Sequence, residues 1–383
     1  MSDSARSPFE VVGLEQLRRR NSVKWRTYPE DVLPLWVAEM DTALAAPIAE
    51  VLRESVETGD TGYAFDGGFG EAFAGFAADR YGWNLTTAPI LVADVMAGVH
   101  AALEAATERG DRVVISTPVY TPFYSAIEQI GRVVVASPLT DSDEGQRIDL
   151  DRLERDFVTA SAYLMCNPHN PTGHVLTESE LTAIAELATR HGVTVISDEI
   201  HAPLMMPGHR HIPFAALDSD AARASFTLAA ASKAWNLAGL KAALLIPGPT
   251  APVSGLSSEL WAAAGLFGVI AGTTAFQEAV PWLDEVVAAV DHNRHLLADL
   301  VADRLPGVRY RPSEATYLAW LDFRDTGLGD DPAAAILEYG RVAVNSGLSF
   351  GVEAAGRVRM NIATSPAMIT EAVDRIASVL ERS

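Results

Sequence analysis

The sequence predicts an α/β protein, with a mostly parallel sheet between helices in a large domain and a smaller α+β domain toward the C-terminus. Three observations carry this expectation. Short apolar, often β-branched runs alternate with amphipathic stretches through the middle of the chain. Each run ends in a polar or Gly/Pro-containing loop. Beyond about Pro281 the pattern changes to long amphipathic helices with fewer strands.

Taken in order, residues 113–116, 162–166, 193–197, 226–230 and 242–246 read as buried strands. Residues 96–100 read as a loop of small residues opening a helix over 101–107. A helix is expected over 177–191, because Thr177 followed by Glu180 forms a capping box, Leu181, Ile184 and Leu187 share a face, and Gly192 stops it. The Pro-rich residues 247–252 read as a surface loop. Trp282, Val286, Val287, Val290 and Leu296 mark a long helix, residues 317–321 a strand, and 366–380 a terminal helix. The division expected is residues 1–47 packing with the small domain, 48–285 as the large domain and 286–383 as the small one.

Composition narrows the function. With 29 Lys plus Arg against 50 Asp plus Glu among 383 residues, the net charge of −21 argues against nucleic acid as a partner. The basic triplet Arg18 to Arg20 reads as a solvated helix end. A single cysteine, Cys166, allows neither an intramolecular disulfide nor a cysteine-based zinc cluster, and a reducing cytoplasm fits. The first twenty residues lack the apolar run of an export signal. Residues 260–277 carry no charge, but three glycines and flanking Glu259 and Glu278 favour a buried helix or subunit contact over a membrane span.

Ligands of open α/β sheets bind at the carboxyl ends of strands, and four loops there hold unusual groups. After 162–166 comes Asn-Pro-His-Asn-Pro-Thr-Gly, which presents Asn170 from a proline-stiffened backbone. After 193–197 comes Asp-Glu-Ile-His, so that Asp198 needs a positive or donating partner if it is buried. Asp198, Glu199 and His201 are metal-ligand types, yet the first two point to opposite faces of a continuing strand, and no metal is expected. After 226–230 comes Lys233 among small and apolar residues, where desolvation makes an amine nucleophilic. The fourth loop, with Gly98 and Val99, offers backbone N–H groups to an anion. Amine, acid, amide and phosphate cradle are together the parts that pyridoxal phosphate needs.

In order and spacing these residues resemble the fold type I pyridoxal-phosphate enzymes of the class I/II aminotransferase superfamily. Within it, Leu-Trp-Val-Ala-Glu-Met-Asp at 35–41, Thr-Gly-Tyr at 61–63, Pro-Val-Tyr-Thr-Pro-Phe at 118–123, the loop through His169, Asp-Glu-Ile-His, Ser-Lys-Ala-Trp-Asn-Leu-Ala-Gly-Leu-Lys and Val-Arg-Met-Asn-Ile-Ala at 358–363 most resemble the cystathionine β-lyase group of C–S lyases, the MalY/PatB type.

That resemblance implies that Lys233 bonds the cofactor and later moves the Cα proton, Asp198 pairs with the ring nitrogen, Asn170 donates to the phenolic oxygen and Tyr120 stacks on the ring. His201 belongs to the same cofactor set. Gly98, Val99, Ser232 and Lys241 would hold the phosphate, with Tyr63 reaching it from a neighbouring subunit of a homodimer. Arg359 would clamp the carboxylate of a small amino-acid substrate, with Trp36 and Tyr63 beside it. Two departures stand out: Ala230 replaces a common hydroxyl, and Glu39 and Thr42 stand where Asp and Phe are usual, so that Thr42 is expected to reshape the substrate entrance. The implied reaction is β-elimination from cystathionine or a related cysteine S-conjugate to a thiol, pyruvate and ammonia. Transamination on the same fold is the alternative, as is a lyase with an added regulatory binding role.

Overall fold

The computed structural model describes residues 7–142 and 145–382. Its centre is a seven-stranded sheet of β1 (Ile90–Val92), β2 (Arg112–Thr117), β3 (Val133–Pro138), β4 (Ala162–Cys166), β5 (Thr194–Asp198), β6 (Phe226–Ala229) and β7 (Ala243–Pro247), in the spatial order β1-β7-β6-β5-β4-β2-β3. All neighbours are parallel except β7, which runs antiparallel to both β1 and β6. Cys166 pairs with Asp198 and Asp198 with Leu228, so three strands end level with one another. Their following loops therefore open on one rim.

Helix α1 (Val95–Ala106) starts well before the expected residue 101, because the Asp94 carboxylate accepts from the Ala97 N–H and caps it. Residues 96–100 are thus helix, not loop. Helix α2 (Glu178–His191) has both bonds of the Thr177–Glu180 capping box, and Gly192 ends it at φ 68°. The uncharged run is broken by a 3-10 turn (Leu260–Ala263) before α3 (Leu266–Glu278), which packs against Ala46–Thr58 and Phe69–Tyr81. A Cβ at Gly268 would lie 2.4 Å from the Leu240 carbonyl oxygen, so glycine permits a close approach of backbones rather than a membrane path. Among the described residues no helix is long and apolar enough to cross a membrane.

Toward the C-terminus, β8 (Arg309–Tyr310), β9 (Leu318–Asp322), β10 (Asn345–Ser346) and β11 (Arg357–Asn361) form an antiparallel sheet in the order β8-β9-β11-β10. Helices α4 (Val280–Arg304) and α5 (Pro366–Leu380) pack together in this part of the molecule. The N-terminal segment joins it through Leu33–Pro34, which pair in parallel with Val342–Ala343.

Residues 36–42 are strapped from several directions. Asn236 brackets Met40, accepting from its N–H at 2.9 Å and donating to its carbonyl at 3.1 Å. Asn361 donates to the Val37 and Glu39 carbonyls. Arg20 donates to the Met40 and Thr42 carbonyls, so this member of the basic triplet is a clamp rather than a solvated helix end. Lys24 and Asp41 form an ion pair at 2.8 Å with no side-chain exposure, and the Trp25 indole N–H donates to the same carboxylate.

Removing one member of a buried pair leaves a charge without compensation, at a cost of about 3–5 kcal/mol. Asp41→Ala is therefore expected to lower unfolding stability by about that amount, read by denaturant titration, whereas Lys24→Met combined with Asp41→Leu should recover most of it. A single-variant loss below about 1 kcal/mol would show that the pair contributes little.

Candidate active site

Strand ends, an N-terminal strap and the C-terminal sheet meet around a cavity of about 220 Å³, lined by Val37, Asp94, Tyr120, Asn170, Asp198, His201, Ser232, Lys233, Lys241 and Arg359 among others. β5 supplies Asp198 as its last residue, and the turn after β6 supplies Ser232 and Lys233. Arg359 comes from β11, opposite Trp320 on one side and Asn345 on the other.

Lys233 Nζ donates to the Ala38 carbonyl at 3.3 Å, an oxygen that also accepts from the Tyr317 hydroxyl at 3.1 Å. Burial, reinforced by the Arg359 charge, pulls the lysine down to about 8, while Glu39 and Asp198 pull the other way. Asp198 is 3% exposed, and burial pushes its carboxyl up to about 7 despite the Ile200 N–H that donates to it at 3.1 Å. Near neutral pH both groups are thus close to changing charge, as acid–base work requires.

Arg359 donates from Nη1 to Asn170 Oδ1 at 3.0 Å, and from Nη2 to Asn345 Oδ1 at 2.8 Å and the Trp36 carbonyl at 3.1 Å, with its guanidinium 4.9 Å from the Phe350 ring centre. Its buried Nε has no acceptor among the described residues. An orphan donor on a buried cation is costly, and an incoming carboxylate would satisfy it. With Oδ1 committed to Arg359, Asn170 presents its amide N–H₂ as the remaining donor. Burial raises the Tyr120 phenol, which stays protonated.

His201 Nδ1 lies 3.1 Å from the Thr316 hydroxyl, and burial lowers the imidazole to about 3, so it is neutral. Thr316 holds φ 64°, a left-handed conformation that is strained for a β-branched residue and sits here at the edge of a site. Glu199 faces away from the cavity, engaging Ser197, His211 and the Phe214 N–H. Asp198, Glu199 and His201 therefore do not converge on a metal.

Several expected site residues take other places. Gly98 and Val99 are buried in α1 and do not line the cavity. A Cβ at Gly98 would meet Leu228 Cδ1 at 2.5 Å, so that glycine serves helix–sheet packing. The residues of α1 at the cavity are Val95 and Met96 in its first turn. Trp36 reaches Arg359 through its carbonyl, while its ring stands edge-on to Tyr28. Thr42 is buried with its hydroxyl on the Pro8 carbonyl and does not shape the entrance. Tyr63 is 88% exposed and outside the lining. His169 is a loop pin, its ring nitrogens 3.1 Å from the Ser116 carbonyl and the Thr172 hydroxyl.

Asp94, Tyr317, Asn345 and Thr316 were not anticipated from sequence. Asp94 carried a readable sign, an N-cap residue directly before a helical run. The other three reach the site from β10 and from the residues just before β9, distant in sequence, and nothing local marks them.

A desolvated amine and acid beside a guanidinium with an open donor define an enzyme of amino-group chemistry on small carboxylate-bearing molecules. The chain belongs to the aminotransferase class I and II family, whose model matches residues 61–376. It is 45% identical to a Mycobacterium tuberculosis protein that carries the provisional name cystathionine beta-lyase, over 98% of this chain and 99% of that one. The cystathionine beta-lyase PatB of Bacillus subtilis is 37% identical, with 94% and 96% covered. Among solved structures, cystalysin from Treponema denticola, which contains pyridoxal 5'-phosphate, superposes with a TM-score of 0.89 at 28% identity, over 95% of this chain and 97% of that one.

Because the free Lys233 amine ionises near 8 rather than near the ordinary lysine value, its trapping by a small aldehyde plus borohydride in protein freed of any bound aldehyde is expected to rise with pH to half-maximum near 8. Mass spectrometry of the modified peptide measures this. A midpoint above about 10 would mean an ordinary solvated lysine.

Proposed function

We propose that the protein is a pyridoxal-phosphate C–S β-lyase that cleaves cystathionine or a related cysteine S-conjugate to a thiol, pyruvate and ammonia. The observation that carries this is the convergence of Lys233, Asp198, Asn170 and Arg359 on one cavity, and the lyase names of the relatives above favour elimination over transamination. When bound, the cofactor withdraws electrons from the Cα of an attached amino acid.

The donor set suits that group. Lys233, neutral for much of its time near pH 8, is the amine placed to bond the cofactor aldehyde and, once released, to take the substrate Cα proton and hand it on. Asp198 would pair with the ring nitrogen, whose positive charge would keep the carboxylate ionised against the raising effect of burial. Asn170 would donate to the phenolic oxygen, Tyr120 would cover the ring, and Ser232, Lys241 and the first turn of α1 would hold the phosphate. Arg359, whose Nε is the open donor, would bind the substrate carboxylate and so aim the Cα–H bond. His201, which lines the cavity and is kept neutral by burial, would sit beside the cofactor without adding charge.

We further infer a homodimer, since the exposed Tyr63 and the neighbouring Phe65, 79% exposed, suit a surface that reaches the cavity of a second copy. We infer that residues 1–47 pack with the C-terminal part, which the pairing of residues 33–34 with 342–343 supports, whereas α4 runs unbroken through the boundary placed at 285 and links the two larger parts. The single buried Cys166 fits a cytoplasmic setting.

Incubation with cystathionine and no keto acid is expected to release pyruvate, ammonia and homocysteine together; turnover only after a keto acid is added would replace the lyase by an aminotransferase. Lys233→Ala should lose the visible absorption of the bound cofactor and about 10³-fold in rate. Arg359→Lys, which forfeits the bidentate fork, should lower kcat/KM about 10- to 100-fold.

A further inference from the structure

The proposed phosphate subsite already contains an anion. Asp94 caps α1, with Oδ1 accepting from the Ala97 N–H at 2.9 Å and Oδ2 accepting from Lys241 Nζ at 2.8 Å. Asp94, Val95, Met96, Ser232 and Lys241 line the same cavity as Lys233. The lysine and helix N-terminus that would attract a phosphate are therefore the groups this carboxylate engages. Burial works against its ionisation, but the Lys241 and Ala97 hydrogen bonds outweigh that and hold the carboxyl below its ordinary value, so it is charged at neutral pH. Both side chains are partly exposed, 40% for Asp94 and 56% for Lys241, so the pair can open without unpacking the core.

We propose that Asp94 is an internal competitor of the cofactor phosphate, so that loading exchanges one anion for another at Lys241 and the enzyme holds its cofactor less tightly than the same site would with a neutral cap. This rests on the pyridoxal-phosphate reading above. A phosphate dianion added beside an ionised carboxylate shares one ammonium and one helix terminus with it, and like charges at such range repel. In return, an exposed ion pair shields the lysine and satisfies the helix end before the phosphate arrives. The cap hydrogen bond needs only an oxygen acceptor, which asparagine or serine also supplies, so the negative charge is the separable feature.

The test is cofactor retention by the holoenzyme. Wild type, Asp94→Asn and Asp94→Ser, each checked for an unchanged thermal transition, are dialysed against inorganic phosphate, and bound pyridoxal phosphate is followed by its visible absorption and by mass spectrometry. The apparent Kd is then measured by re-titration. Both variants are expected to bind about tenfold tighter and to resist displacement by phosphate, an advantage that disappears when Lys241→Ala is added. Equal or weaker binding by the two variants overturns the competitor role and makes Asp94 a positioning residue for Lys241. If wild type takes up no pyridoxal phosphate at all, the cofactor reading itself falls.

Discussion

Two charges taken out of water, Asp198 and Arg359, govern the arrangement around the cavity. Each is almost completely buried, and burial of an ion is tolerable only when its partners are built in. Arg359 draws in Asn170 from the loop after β4, Asn345 from β10 and the Trp36 carbonyl from the N-terminal segment. Among the described residues Asp198 has one backbone donor, Ile200, and it lies close enough to Lys233 for each to feel the other's charge. Arg359 keeps a buried Nε without an acceptor among the described residues, and both side chains line the cavity. A cationic ring nitrogen and a substrate carboxylate are the chemical complements of those two groups.

The same strap that supplies the Trp36 carbonyl couples three distant stretches of chain. The Ala38 carbonyl receives Lys233 from the turn after β6 and Tyr317 from the residue before β9. Asn236 and Asn361 hold the next residues from opposite sides, and the buried Lys24–Asp41 pair closes the segment from behind. The site is consequently rigid where its carbonyls must face donors. Its exposed edge at Asp94 and Lys241 is the place where charge can be exchanged.

Much of the fold was readable locally. The strands over 162–166 and 366–380's helix fall where their apolar patterns placed them, and Thr177, Glu180 and Gly192 bound α2 as their capping chemistry requires. Strand ends elsewhere moved by a residue, since hydrogen-bond pairing rather than hydrophobicity sets where a strand stops. β1 and β3 were missed: β1 is three residues long, and β3 exposes part of its length at the sheet edge. In the site, Lys233, Asp198, Asn170 and Arg359 come together, because three of them follow directly from level strand ends. Gly98 and Val99 failed because one N-cap, Asp94, moved the helix start and turned them toward the sheet.

Periodicity and short-range backbone chemistry are enough to specify the alternation of strands and helices, the polar loops at their carboxyl ends, and the amine, acid and amide those loops carry. Folding in three dimensions is what joins Arg359 to Asn345 and the Trp36 carbonyl, Thr316 to His201, and Asp94 to Lys241. Those pairings join residues far apart in the chain, and their partners are chosen by the need to satisfy buried charge in three dimensions, which no local pattern records.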